Sequence, residues 1–390
     1  MNSTLEKDFY IQDVHFNYND VNEISVPWIN YNHLLTVNSK PRPYDINFKN
    51  SESFDWLDEI NEANNFLLID KNIKKILEDS SYKFNVPTYE IEATEDNKNI
   101  IKVLEVCEWF QEHKVNRGSM VYVVGGGILQ DIGAFSCYMF KRGVPWTFIP
   151  TTLLAQADSC LGAKTAVNFR DSKNVLGLFS APRKVIVESK FLDTLNMNDT
   201  SSGIGEIFRL CITGGWNSFN YFRSKSLMLD LDDLIKASLL VKKLIVDYDE
   251  YELDIRRSMN YGHSIGHAIE AYTNYKIPHG QAVALGILVE NYISHNRDML
   301  PMSELKDIFE VCDFVTEESW QHFFNVDSNK LLQFLTSDKK VVGKQLKLAT
   351  IESIGKMKFI DLPLDNDGMA EVYKAFEDVK YYYEYSCTWK

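Results

Sequence analysis

The sequence predicts an α/β domain followed by a mostly helical one, with the change near residue 195. Three observations carry this. Between residues 61 and 195, short apolar runs of strand length alternate with amphipathic runs of helical spacing, the order expected of a parallel sheet with crossover helices. One of those runs, MVYVVGGG at residues 120–127, is apolar until it ends in glycines. After residue 195 the apolar segments repeat at three and four residues, as one buried helix face requires.

The elements follow in order. Residues 1–60 are polar, rich in Asn and Asp and weakly periodic, so they are expected to form an N-terminal extension with one or two strands, one of them over the alternating residues 44–48. FLLID (66–70) reads as a buried strand, NIKKILEDS as a helix and YKFNVPTYEI (82–91) as a strand. Residues 97–114 place Ile100, Ile101, Val103, Leu104, Val106 and Cys107 at helical spacing. VPWTFIPTT and KVIVES supply two further strands. In the second half, residues 232–250, 261–275, 280–295, 302–312 and 328–337 all have helical periodicity. The aromatic tail KYYYEYSCTWK is read either as a surface-packed segment or as a contact. The expected divisions are thus an extension (1–60), an α/β domain (61–195) and a helical domain (196–390).

Of the 390 residues, 45% are hydrophobic and 25% charged, and the net charge is −14. Such a chain has ample material for real cores, and its acidity argues against a nucleic-acid or anionic-membrane binder. The six cysteines are scattered without a C-x-x-C pair, which fits a reducing, cytoplasmic setting. No signal peptide is expected at the N-terminus and no stretch reaches membrane-spanning length.

Three segments are candidates for chemistry. His263 and His267 lie four apart in GHSIGHAIE, on one helix face, and His279 follows in IPHGQAVALG. Neutral imidazoles are common metal ligands, and a carboxylate often completes a catalytic site with an open position. VVGGGILQDIGAF follows a strand and opens a helix, where glycine amides can approach a pyrophosphate; a plain strand-to-helix turn also needs glycine. Lys141-Arg142-Gly143 precedes a strand that runs into Thr151, Thr152, Asp158, Lys164 and then Lys173-Asn174. Ligands of α/β domains bind at the carboxyl ends of strands, where these residues fall.

Taken together, GGGILQDIGAF, KRG, IPTTLLAQADSCLGAKTAVN, SKNVLGLF, GEIFR, RRSMNYGHSIGHAIE, PHGQAVALGI and DKKVVGKQLKLATIESIG occur in an order that resembles the sugar phosphate cyclases of the 3-dehydroquinate synthase type, over roughly residues 65–360. The resemblance implies a Rossmann-like NAD-binding domain followed by a mostly helical metal-binding domain, with NAD and a divalent metal, zinc or cobalt, as cofactors. It implies Glu206, His263 and His279 as metal ligands. It assigns NAD contacts to Asp70, Asn72, Glu95, Lys98, Gly126, Gly127, Asp131, Thr151, Thr152, Lys173, Phe191 and Thr194. It assigns substrate or catalytic roles to Asp158, Lys164, Lys242, Arg256, Asn260 and His267. Asn174, Arg209 and Lys340 would contact the substrate phosphate, with Arg142 reaching it from a neighbouring subunit of a homodimer.

The implied reaction oxidises a substrate alcohol transiently, eliminates phosphate, returns the hydride and closes a carbocycle by an intramolecular aldol step. The substrate would be a small sugar phosphate, with no nucleic acid or membrane partner. Retained Arg256, Asn260 and His267 favour a carboxylate-bearing heptulosonate 7-phosphate. Cyclases of sedoheptulose 7-phosphate, glucose 6-phosphate or an amino analogue are the alternatives, as is a metal-dependent polyol dehydrogenase. The chain departs from the family at Arg209, where lysine is usual, and at Ala163 and Gln130, where glycine is usual. The basic residues are expected to gather in one cleft against the overall negative field.

Overall fold

The computed structural model describes residues 8–18, 34–49, 54, 56–170, 172–327, 330–335, 341–342 and 345–387; Lys340 lies outside them. The chain divides into two compact units, one of Tyr31–Asn196 and one joining Met1–Asn30 to Met197–Lys390. Residues 1–60, expected as an extension, are not a separate piece. Their first strands, β1 (Asp8–Ile11) and β2 (Val14–Asn17), belong to the second unit, and β3 (Leu34–Val37), β4 (Tyr44–Lys49) and the short α1 (Trp56–Ile60) belong to the first.

The α/β unit continues with β5 (Asn65–Asp70), α2 (Lys71–Asp79), β6 (Thr88–Ile91), α3 (Ile100–Glu112), β7 (Met120–Gly125), α4 (Gly127–Met139), β8 (Trp146–Pro150), β9 (Lys164–Phe169), β10 (Ser172–Phe179) and β11 (Lys184–Glu188). Seven strands form one sheet in the order β3-β4-β11-β8-β7-β5-β6. All its neighbours are parallel except β3 and β4. From β5 the chain crosses through α2 to the edge strand β6, and α3 returns it to β7 on the other side of β5. The winding reverses there, which opens a crevice at the carboxyl ends of β5 and β7. Leu67, Ile69, Tyr122, Val124, Ile149 and Ile186 fill one face of the sheet against Phe54, Trp56 and Phe191.

The strand expected over 82–91 is confined to its last four residues, behind Pro87, which has no N–H to donate. β9 and β10 pair as an antiparallel hairpin, although their Lys, Asn and Thr are common loop residues. Thr165 and Val167 point inward along β9, so its alternation serves a half-buried strand.

The second unit is built from α5 (Met197–Thr213), α6 (Trp216–Ser224), α7 (Leu231–Tyr248), α8 (His263–Tyr272), α9 (His279–Asn296), α10 (Met302–Glu310), α11 (Glu317–Phe324) and α12 (Leu332–Leu335). It also contains β12 (Val341–Val342), β13 (Gln345–Ser353) and β14 (Lys356–Pro363), ending in α13 (Asn366–Cys387). It is therefore not purely helical. Its sheet runs β12-β13-β14-β1-β2, with the N-terminal β1 lying parallel to β14. Phe9, Ile11, Phe16 and Tyr18 are buried, and the Tyr18 hydroxyl donates to the Gly214 carbonyl. Of the aromatic tail, Tyr382 and Tyr383 pack within this unit, while Tyr381 and Tyr385 are exposed. Tyr382 meets Phe309 edge-on at 4.6 Å, and Tyr383 stacks on Trp320 at 4.1 Å. Among the described residues no helix is long and apolar enough to cross a membrane.

Candidate active site

In the second unit, α5, α8 and α9 converge on Glu206. Its carboxylate is buried, with His279 Nε2 at 3.2 Å and His263 Nε2 at 3.5 Å from Oε1. The other imidazole nitrogens are engaged. His263 Nδ1 lies 3.2 Å from the Tyr261 carbonyl, and His279 Nδ1 lies 3.1 Å from Glu270 Oε2. Donation from Nδ1–H to these oxygens leaves both Nε2 lone pairs aimed at one point beside Glu206.

Glu206 Oε2 accepts from Arg209 Nε at 2.7 Å, whereas the buried Oε1 accepts no hydrogen bond. A buried carboxylate oxygen with no donor is costly. An oxygen and two nitrogens left over around one point are the donor set of a divalent metal site, so these residues fit the metal that the sequence implied. Burial favours the protonated form of Glu206, but Arg209 and then His263 and His279 outweigh it and hold the group well below the usual carboxylate range. Burial opposes protonation of the His279 imidazole, yet the Glu206 and Glu270 carboxylates beside it push its pKa up to about 10.

His267 joins this group. The three histidines offer ring nitrogens that all lie within 4.8 Å of one another. His267 is the exposed member, stacked on His279 with centroids 5.6 Å apart. The structure thus presents two overlapping ligand sets, one with Glu206 and one with His267.

Arg209 is almost wholly buried behind Glu206 and also contacts the Met259 sulfur at 3.5 Å, so its visible partner is the metal carboxylate rather than an open anion site. Arg256 is buried as well. Its guanidinium donates to the Glu250 carbonyl, and its backbone N–H donates to Asp249 at 3.0 Å. Asp249 also accepts from Leu253 and Asp254. Burial opposes its ionisation, but these amides keep it below its ordinary value. Asn260 donates to Glu252 at 3.0 Å, and Lys242 is buried on α7.

Sequence reasoning missed the residues that hold this arrangement. Glu270 orients His279, Glu290 accepts from the Gly262 amide at 2.7 Å, and Ser202 accepts from the Gly280 amide at 2.9 Å. Each lies within or beside a quoted motif, but its partner is set by helix packing and cannot be read from spacing.

In the α/β unit, Asp70, Asn72, Gly126, Gly127, Thr151 and Thr152 lie at or just after the carboxyl ends of β5, β7 and β8. Asp70 caps α2, its Oδ1 accepting from the amides of Asn72 and Ile73 at 2.8 and 3.2 Å; the Asn72 side chain is exposed. α4 starts at Gly127 with Gly126 as its N-cap and no side-chain cap, so its first-turn amides remain for an anion. A Cβ on Gly126 would lie 3.0 Å from the Thr152 methyl, so a side chain there would fill the turn. These observations fit a dinucleotide pyrophosphate. Thr151 is buried, its N–H bonded to the Gly125 carbonyl at 3.0 Å.

Gln130, where the family has glycine, is locked to Ser159 in both directions, at 2.7 and 2.8 Å. Asp158 sits in a π-helical turn closed by the Cys160 amide on the Ala155 carbonyl at 3.1 Å; such turns are frequent at functional sites.

Glu95, Lys98, Asp131 and Asn174, assigned separately to cofactor and phosphate, are joined in one network. Lys98 Nζ lies 2.6 Å from Asp131 Oδ2 and 2.7 Å from Asn174 Oδ1. Asn168, unremarked in the sequence, links Glu95 at 2.7 Å to the Asn174 amide at 2.9 Å. Burial pushes the Asp131 carboxyl up, against the pull of Lys98. Lys98 and Arg209 are therefore already paired with carboxylates, which corrects the expectation that all the basic residues gather for an incoming anion. Lys164 and Lys173 are exposed on the hairpin, and Arg142 is exposed beyond α4. The Phe191 side chain is fully buried, stacked on Phe54 at 4.9 Å; only its backbone is left for a cofactor, and its carbonyl accepts from Thr194 Oγ1 at 2.7 Å.

The family model described as 3-dehydroquinate synthase N-terminal matches residues 88–202, and the C-terminal model matches residues 203–341. The chain is 30% identical over 350 residues to the 3-dehydroquinate synthase of Streptococcus gordonii, covering 85% of this chain and 97% of that protein. Two solved structures share the fold. A 2-deoxy-scyllo-inosose synthase complexed with carbaglucose-6-phosphate, NAD⁺ and Co²⁺ matches with a TM-score of 0.73 at 19% identity, over 87% of this chain and 98% of that one. The 2-epi-5-epi-valiolone synthase of Streptomyces hygroscopicus with NAD⁺ and Zn²⁺ matches with a TM-score of 0.71 at 22% identity, over 86% and 96%. With both halves of the chain matched in order, and the donors that its histidine segments promised found together around Glu206, the chain belongs to the 3-dehydroquinate synthase family.

Proposed function

We propose that this chain is a phosphate-eliminating cyclase that converts 3-deoxy-arabino-heptulosonate 7-phosphate to 3-dehydroquinate. The observation that carries the reading is the buried Glu206 oxygen, without a hydrogen bond and faced by two imidazole Nε2 atoms, in a chain that also keeps Arg256, Asn260 and His267. When bound, NAD⁺ supplies reversible hydride uptake and the divalent metal a Lewis acid.

The chain's own residues do the rest. Glu206, His263 and His279 hold the metal. Arg209 keeps the Glu206 carboxylate ionised and fixes its plane, and Glu270 orients His279. Arg256 and Lys242 take the substrate carboxylate, a planar guanidinium being able to bond both oxygens. Asn260 adds a hydrogen bond to the substrate. His267 and Asn174, with Lys164 and Lys340, face the phosphate, while Asp158 orients a substrate hydroxyl. The uncapped first turn of α4 receives the cofactor pyrophosphate, and the network around Lys98 and Asp131 fixes the hairpin that carries Lys164 and Asn174.

Arg142 acts across a homodimer. Cys107, Cys137, Cys160, Cys211 and Cys312 are free thiols, which suits a cytoplasmic setting.

The test is incubation with the heptulosonate phosphate, NAD⁺ and zinc or cobalt, following phosphate release, product mass and absorbance of NADH. Release of phosphate and formation of 3-dehydroquinate without net NADH is expected. Net NADH from a polyol, or turnover of sedoheptulose 7-phosphate or glucose 6-phosphate in place of the heptulosonate, would overturn the reading.

A further inference from the structure

The β9–β10 hairpin breaks register at one place. The pairing steps from Ser172 with Phe169 to Leu176 with Val167, so Lys173, Asn174 and Val175 leave the ladder opposite the single residue Asn168. Bulges next to active sites re-aim a side chain in this way. Asn174 holds φ at 56°, in the left-handed region. Its amide donates not across the ladder but to the Asn168 side chain, at 2.9 Å from Oδ1.

The other end of the Asn168 amide group faces the segment after β6. Nδ2 donates to Glu95 Oε1 at 2.7 Å and to the Glu95 carbonyl at 3.3 Å, and the Asn168 backbone N–H donates to the Lys98 carbonyl at 2.8 Å. A carboxylate only accepts and a backbone N–H only donates, so the side-chain amide has one orientation and no flipped alternative. Lys98 closes the ring, reaching Asp131 Oδ2 at 2.6 Å and Asn174 Oδ1 at 2.7 Å. With that oxygen engaged, Asn174 turns its NH2 the other way, as a donor for an acceptor-only group such as phosphate.

Glu95 opens a short 3₁₀ turn past the carboxyl end of β6, the sheet neighbour of β5. A carboxylate beyond a strand end is placed for ribose hydroxyls, and Asn168 engages its Oε1. One side chain thus joins the dinucleotide side of the α/β unit to the residue that would meet the substrate phosphate.

We propose that Asn168 is a positioning residue that couples the two ligands: a dinucleotide held at Glu95 fixes the Asn168 amide, and that amide fixes Asn174 in the left-handed conformation that donates to phosphate. The resemblance gives Asn168 no role, and the inference rests on the proposed function for what binds at Glu95 and Asn174. Coupling between two sites is reciprocal, so each ligand tightens the other by the same factor.

The test uses the full-length, zinc-loaded chain, with NAD⁺ titrated by calorimetry in inorganic phosphate or in chloride of equal ionic strength. Phosphate is expected to lower the NAD⁺ dissociation constant of the parent by about fivefold or more. Asn168→Asp keeps an acceptor for the Asn174 amide but loses the donor to Glu95, and should remove that dependence. Asn168→Ala, which adds no charge, should remove it too. Hydrogen exchange supplies the second readout. Saturating NAD⁺ should slow exchange at residues 173–175 in the parent and not in either variant, while the ladder amides of residues 176–179 stay protected in all three. A purely structural asparagine would instead loosen the whole hairpin with or without NAD⁺.

A phosphate effect of equal size in parent and variants overturns the proposal, as does its absence in the parent or exchange at 173–175 that ignores NAD⁺. Loss of ladder protection in both variants overturns it as well, since Asn168 would then hold the hairpin together rather than couple its ligands. Phosphate release from the heptulosonate phosphate by the same parent preparation reports on the reaction separately. Coupling without release leaves this inference standing and ends the proposed reaction; release without coupling does the reverse.

Discussion

Gly205→Ala tests whether the metal site depends on the distance between two helix backbones. Gly205 precedes Glu206 on α5, and Gly280 follows His279 on α9. A Cβ built on Gly205 lies 2.1 Å from the Gly280 carbonyl oxygen, and one built on Gly280 lies 1.8 Å from the Ser202 carbonyl oxygen. Ordinary contact begins at 3.4 Å, so one methyl at position 205 forces a separation of about 1.3 Å between backbones that carry two of the proposed ligands. Metal–ligand distances tolerate deviations of roughly 0.2 Å, several times less than this. The overpacking itself should cost about 1–3 kcal/mol.

Metal affinity is expected to fall by at least ~100-fold, about 2.7 kcal/mol, while the fold survives. The assay is metal content per chain after dialysis against a graded chelator, with a thermal melt in chelator to follow the metal-free protein. Gly177→Ala is the control. Its Cβ would make ordinary contact, 3.5 Å from the Ala166 Cβ, in the other unit, and metal content should not change. A Gly205→Ala protein that melts normally and holds metal as tightly as the parent would refute the argument that helix approach sets the site.

Four further expectations follow from the structure. Glu206→Ala should lose metal whereas His267→Ala should keep it but lose turnover; metal stoichiometry decides, and the reverse pattern would assign the ion to the three-histidine set. Because His279 is pushed up to about 10 in the metal-free site, metal binding near pH 7 should release a proton and strengthen as pH rises, seen by calorimetry in buffers of different ionisation enthalpy. The same raised value means that the metal-free protein has its full His279 stabilisation below about 6.5 and loses it as pH rises through about 10, so its melting temperature should drop over that window; a flat profile contradicts the assignment. Finally, Ala163 holds φ at 56°, where glycine is unstrained. Ala163→Gly should raise stability by up to ~1 kcal/mol in denaturant melts, strain relief exceeding the added chain entropy, and a loss would show that the methyl's packing matters more.

The sequence carried most of the α/β half, because its strands are buried on both faces and read as continuous apolar runs. The histidine pair was equally plain, since residues four apart share a helix face. The pairing of Arg209 with Glu206 was within reach of the same rule, at three residues' spacing, but the basic residue was read toward an outside anion. Glu270 could not have been found by spacing, because its bond to His279 Nδ1 depends on how α8 meets α9. The hairpin of β9 and β10 was hidden by composition. Lys, Asn and Thr suggest a loop, and only the inward turn of Thr165 and Val167 makes it a strand. β13 has the same period-2 signal in Leu346 and Leu348, yet it lies in a stretch dominated by helices. The first 60 residues were least legible because β1 finds its partner at the far end of the chain.

That last pairing has a consequence for how the protein is made. In the register of β1 with β14, Tyr10 sits beside Lys356, so β1 leaves the ribosome long before the strand it pairs with. At roughly 5–20 residues per second, the interval is on the order of a minute or less. Throughout it Phe9, Ile11, Phe16 and Tyr18 have no finished core to enter, while the α/β unit between them can already close its sheet. The second unit is therefore nested around the first in time as well as in sequence. Its apolar N-terminal hairpin is the segment on which a chaperone would act during synthesis.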